Sequence, residues 1–563
     1  MSEFKIGARR IISPQADMSD PATVDAEFNT VAARSVQTTE ELVTFIDHWM
    51  EVNECVGEYQ TRFYTTMTCN TADTEAEGNY LQMVEKISPI MAKRNFELKK
   101  QLVESPAVDQ LSADYDVFLR EARNEIDLFR EENVPLQTEN TKLAQKYQKI
   151  TGAWMVEWEG EKQTVHKVKA LLEETDRELR HKAFMASEKP HLADVDALND
   201  LYDDMLNLRR TIARNAGFDN YRDYMFRSYG RFDYTPEDCF AFHAAIKEHV
   251  VPLVTEIMEQ RKADMGVDAL RPWDLQADPK GLPPVRPFTT TDQLIAKVGD
   301  VLHQVNGELG GYFDIMVEHG LLDLDSREGK APGGYMADFT ERKLPFIFMN
   351  SVGTQRNVDT LLHESGHAFH LFLARDLKPS SYMGAPMEFA EVASMSMELL
   401  ARPYFDRIYE ADELKRVKDN QLVGVVKFLP FMVCIDAFQH WVYTNPSTAE
   451  TRGDYWAALM DEYLPHIDWS GLEEYKRKGW QYLHVFQVPF YYIEYGIAQL
   501  GALQVWQNSL NDYSDAVRQY KKGLALGGSQ PLPTLFKTAG GVFDMTEATL
   551  KPLMSHIAGE LKK

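Results

Sequence analysis

Residues 363–370 read HESGHAFH and lie inside an amphipathic, helix-like segment. On a helix, His363 and His367 stand at i and i+4, so their rings leave one face about one turn apart. That separation lets two imidazoles bind a single tetrahedral zinc ion. Glu364, next to the first histidine, is placed to act on water beside such an ion rather than to ligate it, which is the H-E-x-x-H pattern. His370 falls off the 363/367 stripe and reads as a packing or supporting residue.

A hydrolytic zinc needs a third protein ligand and an open position. The next helical segment, MEFAEVASMSMELLARPYF (387–405), offers Glu388, Glu391 and Glu398. Glu391 is set among Ala390, Val392 and Ala393, and a carboxylate in such surroundings is expensive to bury unless it is paired or metal-bound. It is the expected third ligand. Asp359, one turn before His363, and Glu398, two turns after Glu391, could each hold a ligand histidine by its other ring nitrogen.

The segment GGYMADFTERKLPFIFMNSVGT (333–354) leads straight into the histidine helix. It contains two strand-like runs, YMADF and FIFMN, and predicts a small sheet beside the histidines. The edge of the PFIFMN strand is a candidate for holding an extended peptide by main-chain hydrogen bonds. Gly333, Gly334 and Tyr335, in the APGGYM turn, are candidate substrate-binding residues, because glycine permits close backbone approach. On the residues alone, a glycine turn entering a hairpin reads equally well.

Elsewhere helical periodicity dominates. Thr38 with Glu41 makes a capping box before ELVTFIDHWMEV, and Thr235-Pro236 opens a helix over PEDCFAFHAAIKEHVVPLVTEIMEQRK. The run AWMVEWEGEKQTVHKV (153–168) predicts a short hairpin about a Glu-Gly turn, and the proline-rich 267–290 segment an extended connection. Near the C-terminal end, WQYLHVFQVPFYYIEYGIAQLGALQVW (480–506) gathers His484, Tyr491, Tyr492 and Tyr495. A helix starting at Pro489 would put the three tyrosines within one turn of each other. Read alone, this cluster is aromatic core more readily than a site.

The 563-residue chain has room for more than one domain. An N-terminal helical domain, 1–190, and a catalytic domain, 191–563, are expected. A formal net charge of −26 makes nucleic acid a poor partner. The four cysteines lack disulfide-framework or metal-ligand spacing, and no run approaches ~18 uninterrupted apolar residues. A cytoplasmic protein without membrane partners is expected, a monomer in preference to an oligomer.

HESGHAFH followed by FAEVASMSMELL resembles the thimet oligopeptidase and oligoendopeptidase F family of zinc metallopeptidases. CIDAFQHWVYTNP, LNDLYDDMLNLRRTIARNAGFDNYRDY and the 480–506 segment are similar to the oligoendopeptidase F branch, near the Pz-peptidases, and the match runs from about 170 to 510. The resemblance implies a mostly α, clam-shaped, multi-helix peptidase. It implies a small β-sheet next to the H-E-x-x-H helix, a deep internal substrate channel and one Zn²⁺ per chain. It also implies hydrolysis of internal bonds in short, unstructured peptides, with Glu364 as general base. His484, Tyr492 and Tyr495 then become catalytic candidates and Tyr491 a substrate contact; the spacing of YYIEY leaves Tyr491 and Tyr492 competing for one role. The alternatives are a zinc carboxypeptidase on the same fold and a zinc-stabilised peptide-binding protein without turnover. The second would call for a missing base, yet Glu364 is intact.

Overall fold

The computed structural model describes residues 6–327, 329–331 and 333–563, which leaves Pro332 of the APGGYM turn outside the described residues. The chain is mostly helical, and the described residues include five short strands: β1 (Met155–Trp158), β2 (Glu161–Thr164), β3 (Leu322–Asp325), β4 (Tyr335–Phe339) and β5 (Leu344–Ser351). It forms two compact units, each assembled from three segments. The first comprises Met1–Asp127, Arg286–Lys415 and Gly501–Phe543; the second comprises Leu128–Val285, Arg416–Leu500 and Asp544–Lys563.

In the first unit the long helix Thr39–Cys69 starts at the Thr38/Glu41 capping box and buries Leu42, Phe45, Trp49 and Val52. Its far end meets the small sheet, where the hydroxyls of Thr68 and Tyr335 lie 2.5 Å apart. The sheet order is β3-β5-β4, with β4 antiparallel and β3 parallel to β5. The expected hairpin of YMADF and FIFMN forms, but β5 is its centre. The edge of the PFIFMN strand is therefore already occupied, because β3, only four residues long (LDLD), pairs along it. The outer edge on the histidine side belongs to β4.

β5 runs into the histidine helix, Gln355–Ala374, whose N-terminus is closed by a Thr354/Asn357 capping box. Val358, Leu361, Leu362, Phe369 and Phe372 are buried on it; each such side chain contributes about 1.5–3 kcal/mol. It packs closely on the glutamate helix, Met387–Ala401. Gly366 makes that closeness possible: a Cβ there would lie 2.5 Å from the Ala393 carbonyl oxygen and 2.6 Å from the Ser394 Cα.

In the second unit, β1 and β2 form the hairpin expected from the sequence. Glu159 and Gly160 both adopt positive φ, 52° and 84°, as a two-residue turn of this hand requires. The helix opened by Thr235 ends earlier than its periodicity predicts. It spans Pro236–His249, and a second helix, Val251–Met265, follows. Pro252 has no N–H to continue the ladder, which accounts for the break. The helix Leu414–Thr444 is long and apolar enough, by length and composition, to cross a membrane, although 56% of its most apolar window is buried. The helix expected from Pro489 begins only at Ile493. Phe490 is in the left-handed region, with φ 68°, and is held there because its N–H donates to Gln439 Oε1 at 2.7 Å and its carbonyl accepts from Arg231.

Candidate metal centre

The histidine helix turns His363 and His367 to one side, their ring centroids 5.0 Å apart. The glutamate helix, brought in over Gly366, supplies Glu391. Its Oε2 lies 3.4 Å from His363 Nε2 and 3.7 Å from His367 Nε2. Ligand atoms of the three residues fall within 4.8 Å of one another. Ser394, one turn on, donates to Glu391 Oε2 at 2.9 Å and fixes the carboxylate. Two imidazole nitrogens and a carboxylate oxygen converging on one point are a donor set that fits zinc. Glu388, though also buried, is not in this group.

His363 is oriented from behind: its Nδ1 lies 2.7 Å from Glu398 Oε1, leaving Nε2 directed at the centre. Asp359 does not share that task. It lies close enough to Glu398 to feel its charge, and burial together with that charge pushes its carboxyl up to about 8. His370 is buried 5.9 Å from the ring of Phe389.

The electrostatics follow from depth and pairing. Burial alone would raise Glu391, but the hydrogen bond with His363, the two imidazoles and Ser394 outweigh it and hold the group down to about 2. Burial lowers His367 to about 4, so it offers a neutral ring. For His363, burial is overcome by Glu391 and Glu398, which raise it. Glu364 is 8% exposed, and burial lifts its carboxyl to about 7 despite the opposing charge of His363 and a hydrogen bond from the backbone of Met336. That bond aims the outer edge of β4 at the general-base candidate. Gly333 enters β4 with φ 99°, and a Cβ on Gly334 would come within 3.4 Å of the Phe348 carbonyl oxygen. The Tyr335 ring stacks on Phe348 at 4.8 Å, so the side chain is committed to packing.

His484, Tyr491, Tyr492 and Tyr495 belong to the second unit and do cluster there. The His484 ring is 4.7 Å from Tyr492, 6.2 Å from Tyr495 and 6.3 Å from Tyr491. Tyr491 and Tyr492 sit in the turn created by Phe490, while Tyr495 is on the helix Ile493–Asn511. Burial lowers His484 to about 4 and raises Tyr492 above the ordinary phenol value. His484 and Tyr492 are thus neutral hydrogen-bonding groups.

A mostly helical chain with H-E-x-x-H on one helix and a glutamate facing it from the next defines a class, the helical proteins built around a His-His-Glu metal centre. The peptidase family M3 profile matches residues 170–555, and that of the peptidase M3 N-terminal domain matches 17–129. The chain belongs to peptidase family M3. It is 24% identical over 300 residues to an oligoendopeptidase F homolog of Borreliella burgdorferi, covering 51% of this chain and 49% of that protein. It is 27% identical over 251 residues to oligopeptidase PepF of Bacillus subtilis, covering 42% of this chain and 36% of that one. The matches thus span about half the length of these curated relatives, or less. Among solved structures it resembles Pz peptidase A with a bound inhibitor, at a TM-score of 0.89 and 27% identity, covering 100% of this chain and 99% of that one.

Proposed function

We propose that this protein is a zinc-dependent oligoendopeptidase that hydrolyses internal bonds of short, unstructured peptides in the cytoplasm. The observation that carries the reading is the convergence of His363, His367 and Glu391 beside the buried carboxyl of Glu364. The three residues would hold one zinc ion, whose Lewis acidity lowers the pKa of water and polarises a carbonyl. Glu364, buried beside these three residues, would take a proton from the attacking water and return it to the leaving amine. The outer edge of β4 suits an extended substrate, whose main chain it would pair with little regard to side chains. By the family resemblance, Tyr495, His484 and Tyr492 donate hydrogen bonds to the developing oxyanion, a role that neutral phenols and imidazoles can fill.

Glu364→Gln tests the reading. The amide occupies the same space without accepting a proton, so zinc content should stay normal while kcat falls by roughly 10²- to 10⁴-fold. Mass spectrometry of products from a mixed peptide library should show internal cuts. Near-normal turnover by the variant would refute the mechanism, and stepwise loss of C-terminal residues would make the enzyme a carboxypeptidase.

A further inference from the structure

A second group of metal-ligating side chains lies wholly in the second unit. The helix Pro236–His249 carries Cys239 and His243, four residues apart, and the helix Leu414–Thr444 carries Asp436 and His440, also four apart. Each pair therefore leaves one face of its helix, and the two faces meet. Cys239 and Asp436 are 0% exposed, His440 3% and His243 6%. Cys239 Sγ, a carboxylate oxygen of Asp436 and a ring nitrogen of His440 lie within 4.8 Å of one another. His243 Nε2 is 2.8 Å from Asp436 Oδ2. His440 Nε2 is 3.2 Å from that same oxygen.

A plain buried aspartate–histidine pair does not account for this arrangement. Asp436 Oδ1 and His440 Nδ1 have no hydrogen-bond partner among the described residues. The rings around His440 are Phe240 at 4.8 Å, Phe490 at 5.5 Å, Phe226 at 5.9 Å and His243 at 6.0 Å. Each buried polar atom left without a partner costs about 1–3 kcal/mol. An ion pair also leaves no task for the thiol. A thiophilic divalent cation would engage the thiol, an oxygen of Asp436 and one ring nitrogen of His440 at once. Thiolate and carboxylate together cancel its charge, His440 supplies a neutral nitrogen, and His243 holds the remaining carboxylate oxygen in the way outer partners steady metal ligands.

We propose that Cys239, Asp436 and His440, steadied by His243, form a second, structural site for a zinc-type divalent cation that pins the helix Pro236–His249 to the helix Leu414–Thr444. None of these residues belongs to the His363/His367/Glu391 centre, so the two sites stand or fall separately.

Cobalt(II) is the probe, loaded into the full-length protein after removal of bound metal with a chelator. A cysteine thiolate bound to cobalt gives a charge-transfer band in the near ultraviolet, and the His363/His367/Glu391 centre contains no sulfur. The wild type should take up about two equivalents and show the band. Cys239→Ser should lose the band and about one equivalent, whereas Glu391→Ala should keep the band and lose the other. His440→Gln, which leaves the thiol in place, should weaken cobalt binding at the same site. A wild type that fills its catalytic centre without showing the band would overturn the proposal, and so would a band that survives Cys239→Ser. Because the wild-type spectrum decides by itself, the test holds even if a variant fails to fold.

Discussion

The carboxylates of Glu398 and Asp359 both stand at helical spacings from which they could reach a ligand imidazole, and in the fold it is Glu398 that does, at 2.7 Å from His363 Nδ1. Spacing along the chain permits both; the approach of the glutamate helix decides between them. Glu398→Ala should free the His363 ring and weaken zinc binding by about 10- to 100-fold, measured by competition with a chelator. Unchanged affinity would mean that the helix alone orients the ring. Tyr495→Phe removes only a hydroxyl, and if that group serves the oxyanion, kcat should fall by roughly 10²- to 10³-fold with KM and zinc content little changed. A raised KM with unaltered kcat would reduce Tyr495 to substrate binding. His363, Glu364 and His367 were legible because helical spacing is local, and Glu391 because a carboxylate among small apolar residues demands a reason. The Cys239/Asp436/His440 group was not legible, since its halves are joined only by tertiary packing.

At the scale of elements, the contact between the histidine and glutamate helices is the feature on which the centre depends. Gly366 has no room for a methyl group against the Ala393 and Ser394 backbone, which cannot swing aside as a flexible side chain could. Gly366→Ala should separate the helices, with a stability cost of about 1–3 kcal/mol from overpacking and a loss of zinc affinity as Glu391 withdraws. Calorimetry and metal titration of the variant would show both effects; retention of full affinity would mean that the centre tolerates a wider spacing. The long helices were readable from period and caps, and the β1–β2 hairpin from its Glu-Gly turn. Less readable were β3, whose four residues pair with a strand distant in sequence, and the late start of the Ile493–Asn511 helix. That start depends on Phe490 being held at positive φ by Gln439 and Arg231.

Across the whole molecule the excess of acid over base is locally reversed at a few buried pairs. In the second unit Glu188 meets Lys478 and Lys169, the latter at 2.7 Å, and Lys478 also reaches His191 at 2.9 Å. Burial would raise Glu188, but the two lysines prevail and hold it down to about 2. A carboxylate depressed in the folded state adds stability that is fully present above its ordinary value near 4.5 and is lost as the pH falls through about 2. Glu188→Gln should therefore cost about 3 kcal/mol at neutral pH, with the gap to wild type closing over that acid range in urea unfolding. A gap independent of pH would show that packing, not charge, is being measured. The division into three-segment units has a further consequence for how the protein is made. The histidine and glutamate helices are translated before Gly501–Phe543, which the first unit also needs and from which the Tyr520 hydroxyl donates to the Ala393 carbonyl at 2.8 Å. A nascent chain stalled on the ribosome before that segment emerges would hold every ligand of the catalytic centre without the buttress behind Glu391.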